Sequence, residues 1–202
     1  MVREGLAMRI HVHPELEVCG EAASEQEALD LVKVTAPDLM IVDISLKSGN
    51  GIELVKQVKS YYPAVKLLVV SAFQESLYAE RALRAGALGY LNKQESNDKV
   101  IEAIRAVLAG NRFVSEETMR LLVAQALGDR EESKCPSELL SDRELEVFRL
   151  IGTGMTSGAI ANQLHLSPHT IDTHRENIKK KLGVKTAAEL NRRAVQWVLE
   201  NE

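Results

Sequence analysis

Hydrophobic and polar positions follow two rhythms along the first two thirds of the chain. Short apolar runs rich in Val, Ile and Leu alternate with longer stretches in which apolar residues recur every three or four positions. The short runs predict β-strands and the longer stretches predict amphipathic helices. This alternation predicts an α/β unit whose parallel sheet is covered by helices on both faces. The predicted strands are LEVCGEA (16–22), DLMIVDI (38–44), KLLVVSA (66–72) and, more weakly, GALGYLN (86–92).

The helical stretches carry end signals. Ser24 and Ser141 each stand three residues before a glutamate, which is the spacing of a capping box at a helix start. Gly86 and Gly110 follow helical patterns at the point where glycine commonly ends a helix. We therefore expect regular helices that begin and end close to these residues.

The charged segment GDREESKCPSE interrupts this alternation and predicts a linker over 129–138, between a first domain (1–128) and a second (139–202). After it the patterns are helical only. A short helix (TSGAIANQL), a tight turn and a longer helix (LSPHTIDTHRENIKKKLG) predict a helix-turn-helix. In the longer helix, Ser167 is the predicted N-cap and Gly183 the predicted end.

Composition narrows the class of protein. The chain has 202 residues, of which 45% are hydrophobic and 27% charged, as in an ordinary globular protein. No apolar run reaches the length of a membrane span, and the first residues are charged where a signal peptide would be apolar. We therefore expect a cytoplasmic protein that does not enter a membrane.

Charge is uneven although the net charge is only -4. Basic residues cluster in the helix that follows Pro168, where helical spacing places Ile171, Ile178 and Leu182 on one face. The opposite face carries Asp172, Thr173, Glu176, Lys179 and Lys180. Because cap, turn, apolar stripe and basic end coincide, the pattern predicts a helix that binds double-stranded DNA.

The second domain resembles a known family. LSDRELEVFRLIGTG followed by IANQLHLSPHTIDTHRENIKKKLGVKTAAEL is similar to the LuxR-type helix-turn-helix of the NarL/FixJ family. The resemblance implies an all-α tetrahelical domain, a homodimer on DNA and a contact through the last helix (Leu190 to Val198). It also implies DNA-facing positions at His169, Thr170, Asp172, Thr173, Arg175, Glu176 and Lys179.

Two of these positions depart from the family pattern, because Asp172 and Glu176 stand where some members carry lysines. An acid that faces the groove can accept a hydrogen bond from a cytosine amino group. Alternatively, the two acids orient Arg175 and Lys179. Both interpretations remain open.

The first domain resembles the receiver domain of two-component response regulators, which has a flavodoxin-like doubly wound fold. Asp43, Ser71 and Lys93 each stand at the carboxyl end of a predicted strand, where such sheets carry their functional residues. The resemblance implies that Asp43 is phosphorylated by a sensor histidine kinase and that Ser71 and Lys93 contact the phosphate. It also implies that Tyr90 is the aromatic switch residue and that Mg²⁺ binds beside Asp43.

The first strand of the receiver family and the acidic pair that ends it are missing from this chain. In the family a segment like H-P-x-V-R-E-G-L follows that strand, and the chain begins MVREGLAMRI. Of the metal ligands only Asp43 is therefore present. Two explanations stay open: a native protein that carries the strand, or a degenerate receiver. Since the family's missing strand is central, we expect unpaired backbone on its neighbours, with a compensating strand from another chain or a weakly stable first domain.

These observations predict a DNA-binding response regulator controlled by phosphorylation of Asp43. The alternative is a pseudo-receiver transcription factor that is regulated by dimerisation or by a partner, independently of phosphate. A phosphotransferase with Asp43 as nucleophile is disfavoured, because the sequence has neither a substrate loop nor a second catalytic carboxylate next to Asp43.

Overall fold

The computed structural model describes residues 2–46, 49–73, 75–126 and 136–201. The chain divides into two compact units, Met1–Val123 and Ala124–Glu202. Among the described helices, none is both long and apolar enough to cross a membrane.

The first unit alternates helices with strands, as the sequence predicts. Two helices escaped prediction: the one that opens the chain and the one that follows Phe113. The latter begins at a cap that the sequence does contain, because the Ser115 hydroxyl accepts a hydrogen bond from the Thr118 N–H at 3.1 Å. In chain order the elements are α1 (Val2–His11), α2 (Glu25–Thr35), β1 (Leu39–Val42), α3 (Gly51–Tyr61), β2 (Lys66–Ser71), α4 (Glu75–Ala85), β3 (Gly89–Asn92), α5 (Asn97–Leu108) and α6 (Glu116–Ala126).

The strands form one parallel sheet in the order β1-β2-β3. In this sheet Ile41 pairs with Leu68, and Leu68 pairs in turn with Gly89 on the other side. The central strand β2 is buried from Leu67 to Ser71, and α5 packs Ile104 and Val107 against it. The α/β class and the parallel sheet are therefore confirmed.

The run LEVCGEA (16–22) is not a strand, contrary to the prediction. A strand forms only where its backbone groups pair with a neighbour. In the described part of the chain, no strand lies between this run and β1, so the run forms no ladder. The run has the composition of a strand, but none of the described strands pairs with it.

A groove of about 790 Å³ separates this run from β1. Its lining includes Leu6 and Ile10 from α1 and Ala28 and Val32 from α2. The groove therefore follows the edge of β1 that faces away from β2. Leu39, Met40 and Ile41 are only half-buried as a result, whereas β2 is covered. The expectation of an unpaired strand edge is met here.

The described residues of the second unit form helices and the turns between them. These include the four longer helices that the resemblance implies and one short helix before them. The predicted linker (129–138) falls mostly outside the described residues, and its last three residues already belong to the short helix. The elements are α7 (Pro136–Leu139), α8 (Asp142–Gly152), α9 (Ser157–Leu164), α10 (Pro168–Leu182) and α11 (Ala187–Asn201).

The core of the second unit lies between α8, α10 and α11. Phe148 is fully buried and contacts Trp197 of α11, with ring centroids 5.8 Å apart. Helices α8 and α11 approach so closely at Gly152 that a Cβ there would lie 2.5 Å from the Ala194 carbonyl oxygen. On α10, Ile171 and Ile178 are fully buried, as the apolar stripe predicts. The helix-turn-helix is therefore packed against α8 along one face of α10.

Candidate functional site

Three predicted residues meet at the carboxyl edge of the sheet. Asp43 directly follows β1, Ser71 ends β2, and Lys93 directly follows β3. The Lys93 ammonium forms an ion pair with Asp43 Oδ2, and the backbone N–H of Lys93 donates to the Ser71 carbonyl at 2.8 Å. The side chains of Lys93 and Asp43 are 25% and 29% exposed, so solvent reaches the pair. The structure thus brings together the carboxylate, the hydroxyl residue and the lysine.

Tyr90 lies beneath this edge with its side chain fully buried. Its hydroxyl donates a hydrogen bond of 2.8 Å to the Phe73 carbonyl, in the loop that follows Ser71. Burial raises the pKa of Tyr90 above its ordinary value, so the phenol stays neutral. Tyr90 is therefore turned inward and tied to the segment after β2.

The start of α3 lies directly against the backbone of Asp43. The Asn50 side chain caps that helix by accepting from the Ile52 N–H at 2.9 Å. Gly51 lies against the backbone of Asp43, and a Cβ there would stand 2.1 Å from the Asp43 carbonyl oxygen. Only glycine fits this position without moving the strand end, so the sequence NG contributes to the site although it carries no reactive group.

The second candidate site is the exposed face of α10. The N-cap of this helix is Ser167, whose hydroxyl accepts from the Thr170 N–H at 3.0 Å. His165 ends α9 with a left-handed backbone (φ 52°), which makes the tight turn between the two helices. Helix, turn and helix are thus positioned as the sequence predicts.

Side chains of α10 divide into two opposite stripes. Its buried stripe packs on the rest of the unit, and the stripe directly opposite faces solvent. Three predicted DNA-facing residues, Thr170, Arg175 and Lys179, lie half-buried at its margins. The exposed stripe consists of His169, Asp172, Thr173, Glu176 and Lys180.

Several of these side chains already have partners within the unit. Lys179 forms an ion pair with Glu176 at 2.8 Å. Arg175 points to α11 and donates to the Asn191 side-chain oxygen at 2.9 Å. Thr170 shares a 2.8 Å hydrogen bond with the hydroxyl of the N-cap, so it also serves the cap.

Comparison with known proteins identifies both units. Residues 1–105 match the response regulator receiver domain, and residues 138–194 match the bacterial regulatory proteins of the luxR family. The chain is a response regulator. Its two domains are those of a transcription regulator of two-component systems, which is not an enzyme, and they imply DNA and a kinase as partners.

Relatives of this response regulator match along most of their length. The transcriptional regulatory protein LnrK of Bacillus subtilis is 35% identical over 92% of this chain and 87% of LnrK. The oxygen regulatory protein NreC of Staphylococcus aureus is 31% identical over 94% of this chain and 90% of NreC. Both relatives thus have the same two-domain order.

Solved structures agree with the fold. A LuxR-family two-component response regulator from Aurantimonas is 32% identical, covers 62% of this chain and 90% of its own, and superimposes with a TM-score of 0.57. RcsB of Salmonella typhimurium covers 97% of this chain and 92% of its own with a TM-score of 0.66; at 24% identity it supports the fold alone.

Receiver domains typically use Mg²⁺ for phosphorylation. Within the part of the chain that the structure describes, no three His, Cys, Asp or Glu side chains gather as a metal site would require. Asp43 contributes one carboxylate, and that carboxylate is engaged by Lys93. The described residues therefore do not fit a complete magnesium site.

Sequence reasoning missed contacts that join distant segments. The Asn92 side chain donates to the Phe73 carbonyl at 3.4 Å, the same carbonyl that accepts the Tyr90 hydroxyl. Lys181 belongs to the basic cluster, but its ammonium contacts Glu144 of α8 at 2.6 Å, although its side chain remains 43% exposed. Glu144 carries a local signal, the capping box, whereas its contact with Lys181 requires the packed domain.

Proposed function

We propose that this response regulator binds double-stranded DNA through the exposed stripe of α10 and is controlled by phosphorylation of Asp43 by a sensor histidine kinase. It would act as a homodimer in the cytoplasm. The observation that carries the DNA proposal is the division of α10 into a buried stripe and an opposite polar stripe that ends in lysines. A helix of this kind enters the major groove with its N-terminal turns on base edges and its basic end on phosphates.

The two acids on α10 have different surroundings. Glu176 pairs with Lys179, which favours a role in orienting that lysine for a phosphate. Asp172 lies one turn earlier on the exposed stripe, and a carboxylate that faces the major groove can accept from a cytosine amino group. Arg175 is oriented by Asn191 and by neither acid. Asp172 is thus the residue that we propose for base recognition.

Control through Asp43 is supported by the three strand ends. A phosphoryl group on Asp43 would lie beside the Lys93 ammonium, which holds the carboxylate now, and near the Ser71 hydroxyl. The cation and the hydroxyl can both bind phosphoryl oxygens. The Tyr90 hydroxyl is hydrogen-bonded to Phe73 in the loop after β2, so a shift of Ser71 and this loop would move the Tyr90 ring. We propose that this shift changes the outer helices of the receiver.

The second candidate function is a pseudo-receiver, which regulates DNA binding without phosphate. It is favoured by the ion pair between Asp43 and Lys93 and by the absence, among the described residues, of any cluster of three His, Cys, Asp or Glu side chains that could hold a metal ion. In that case Lys93 already satisfies Asp43, and Asp43→Ala leaves DNA binding unchanged.

Dimerisation is supported by the outer face of α11. RcsB, a structural relative, has been seen as two dimers bound to two parallel DNAs. In the present chain Leu190, Ala194 and Trp197 fill the domain's own core and are unavailable to a second copy. Val195 and Leu199 lie one turn apart and are 41% and 75% exposed. A contact through the last helix would therefore use these two residues.

The DNA proposal is tested with Lys179→Ala and Lys180→Ala, and with Lys33→Ala as the control. Lys33 is an exposed lysine of α2, so the control removes the same charge away from α10. Binding of a fluorescent duplex should weaken for both α10 variants and stay unchanged for the control. Equal binding by all four proteins would contradict the proposal.

Phosphorylation is tested by intact mass spectrometry after acetyl phosphate treatment, with and without Mg²⁺. A phosphoryl adduct that requires Mg²⁺ and disappears in Asp43→Ala would support Asp43 as the acceptor. Absence of an adduct in the unsubstituted chain, together with unchanged DNA binding by Asp43→Ala, would favour the pseudo-receiver.

A further inference from the structure

The three consecutive lysines at the end of α10 have different environments. Lys180 lies on the exposed stripe, and Lys179 pairs with Glu176 of the same helix. Lys181 turns towards α8, where its ammonium lies 2.6 Å from Glu144 Oε2. The three therefore cannot all serve the same purpose, although the sequence KKK suggests one phosphate-binding cluster.

Glu144 is held from two directions. It stands in the first turn of α8, and its carboxylate accepts the Ser141 N–H at 2.8 Å to complete the capping box. The same oxygen receives Lys181. The Glu144 side chain is 6% exposed, against 43% for Lys181. Burial raises the pKa of Glu144, but the hydrogen bonds from Lys181 and Ser141 outweigh it and hold the pKa below its usual range.

A neighbouring residue ties the other helix of the motif to the same place. Arg143 donates to the Leu164 carbonyl at 3.1 Å, at the last residue of α9, and its guanidinium also pairs with the buried Glu146 at 2.7 Å. The first turn of α8 thus contacts the end of α9 through Arg143 and the C-terminal end of α10 through Glu144. These contacts fix both helices of the helix-turn-helix at points away from the exposed stripe.

We infer that Glu144 and Lys181, the anchor pair, are positioning residues that set the orientation of α10 on DNA, and that Lys181 is not a phosphate contact. This inference rests on the proposed binding of DNA by α10. When the pair is intact, the last turn of α10 is held to α8 and the exposed stripe keeps one tilt. When either partner is lost, the helix keeps its phosphate-binding lysines, but its N-terminal turns no longer meet base edges correctly.

The anchor pair and a phosphate contact differ in their salt dependence. A lysine that neutralises a phosphate contributes about 0.9 to the slope of log affinity against log salt, on any DNA sequence. Lys180→Ala should therefore lower the slope by about that amount and weaken all duplexes alike. Lys181→Ala should leave the slope unchanged on a random duplex and weaken a selected duplex about tenfold, which lowers the ratio of specific to non-specific affinity.

A second variant, Glu144→Gln, distinguishes an anchoring role of Lys181 from a phosphate contact. Glutamine can still accept the Ser141 N–H, but it is uncharged and cannot form the ion pair with the Lys181 ammonium. If Lys181 were a phosphate contact, freeing it would keep or strengthen DNA binding. The anchor predicts the opposite: Glu144→Gln loses about as much specific affinity as Lys181→Ala, and the double variant loses no more than either, because both remove one interaction.

The experiment uses the full chain, a random duplex and a duplex that the unsubstituted chain selects from a randomised library. Affinities are measured across a salt series by fluorescence anisotropy, and circular dichroism establishes the folded fraction of each variant. Should Lys181→Ala fail to fold, Lys181→Met retains the aliphatic stem and takes its place. A reduced slope for the Lys181 variant, or additive losses in the double variant, would overturn the inference.

Failure of the inference can be told apart from failure of the proposed function. If the unsubstituted chain selects no duplex from the library and does not bind the random duplex, or if Lys180→Ala has no effect on the slope, α10 is not the DNA-binding helix and the proposed function falls first. If Lys180→Ala lowers the slope and the variants of the anchor pair retain full specific affinity, the proposed function stands and the positioning role is wrong.

Discussion

The two units of this response regulator differ in how their elements are completed. In the helix-turn-helix unit, α8, α9 and α10 each begin with a hydroxyl cap that belongs to the adjoining residue, and each buries an apolar face on another helix. Among the described strands of the receiver unit, β1 pairs only with β2, and its other edge faces a groove of about 790 Å³. Helices close their own hydrogen bonds, whereas a strand depends on a neighbour that can be distant in sequence.

This difference extends to the candidate sites. The exposed stripe of α10 is carried by a helix that is held at both ends, by Ser167 at its start and by Lys181 near its end. The phosphoacceptor candidate Asp43 follows the strand with the open edge. It is held by the ion pair with Lys93 and by the close packing of Gly51, at the start of α3, against its backbone. A LuxR-type DNA-binding unit is therefore joined to a receiver in which the described residues do not form a complete magnesium site.

The largest effect is expected in the core of the second unit. Phe148→Ala removes a fully buried ring that contacts Trp197, and it should lower the free energy of unfolding by about 3–5 kcal/mol. Trp197 is the single tryptophan of the chain, so its fluorescence during urea unfolding reports on this unit. If the free energy of unfolding falls by less than about 1 kcal/mol, this core is loosely packed, which would contradict the contrast drawn between the two units.

The paired residues Ile41 and Leu68 test the open edge of the sheet. Leu68→Ala, in the covered strand β2, should cost about 2–5 kcal/mol, as is usual for a fully buried leucine. Ile41→Ala, on the half-buried strand β1, should cost roughly half as much because less surface leaves water there. Urea unfolding followed by circular dichroism provides both values. Equal costs would contradict an open edge.

Two glycines offer a matched pair of smaller effects. Gly51→Ala puts a Cβ 2.1 Å from the Asp43 carbonyl oxygen, so it should destabilise the receiver by about 1–3 kcal/mol. Gly158→Ala, in α9, meets no atom within 4 Å and should stabilise its unit by about 0.4–1 kcal/mol. Thermal unfolding of both variants checks the signs. Stabilisation by Gly51→Ala would show that the start of α3 is not tightly packed against the backbone of Asp43.

The smallest effect is a pH dependence in the second unit. Burial, and then the charge of Arg143, lowers the pKa of His174 below its ordinary value of about 6.5. The unfolded chain therefore binds more protons just below pH 6.5, so stability is full above that value and is lost as the pH falls through the folded pKa. Urea midpoints from Trp197 fluorescence at pH 5 to 7 should rise with pH, and His174→Gln should flatten the rise. An unchanged slope in this variant would assign it to another group.

Sequence alone predicts the second unit well because its signals are local. The capping box of Ser141 and Glu144 forms with both hydrogen bonds, and α10 begins after Ser167 and ends before Gly183, as predicted. The matching box at Ser24 forms only in part. The Glu27 N–H does donate to the Ser24 hydroxyl, but the Glu27 carboxylate accepts from the Ala23 N–H. The helix still begins where predicted, since either arrangement satisfies a free N–H at its start.

The strand ends of the receiver and its parallel sheet were predictable, whereas the failure of one predicted strand to form was not. Parallel strands bring their carboxyl ends to one edge, which is why Asp43, Ser71 and Lys93 converge as the pattern predicts. The run 16–22 has strand composition but no strand, because composition cannot supply the neighbour that a ladder requires. The contact of Lys181 with Glu144 spans 37 residues and depends in the same way on packing that no local pattern encodes.

Hydrogen exchange of the full chain, with and without a DNA duplex, tests this comparison most directly. We expect the β1 amides (Leu39–Val42) to exchange faster than the β2 amides (Lys66–Ser71) in both conditions, since one edge of β1 is open. The duplex should protect the α10 segment that contains His169 and Lys180. Equal protection of β1 and β2, or no change in α10 on adding DNA, would contradict the account.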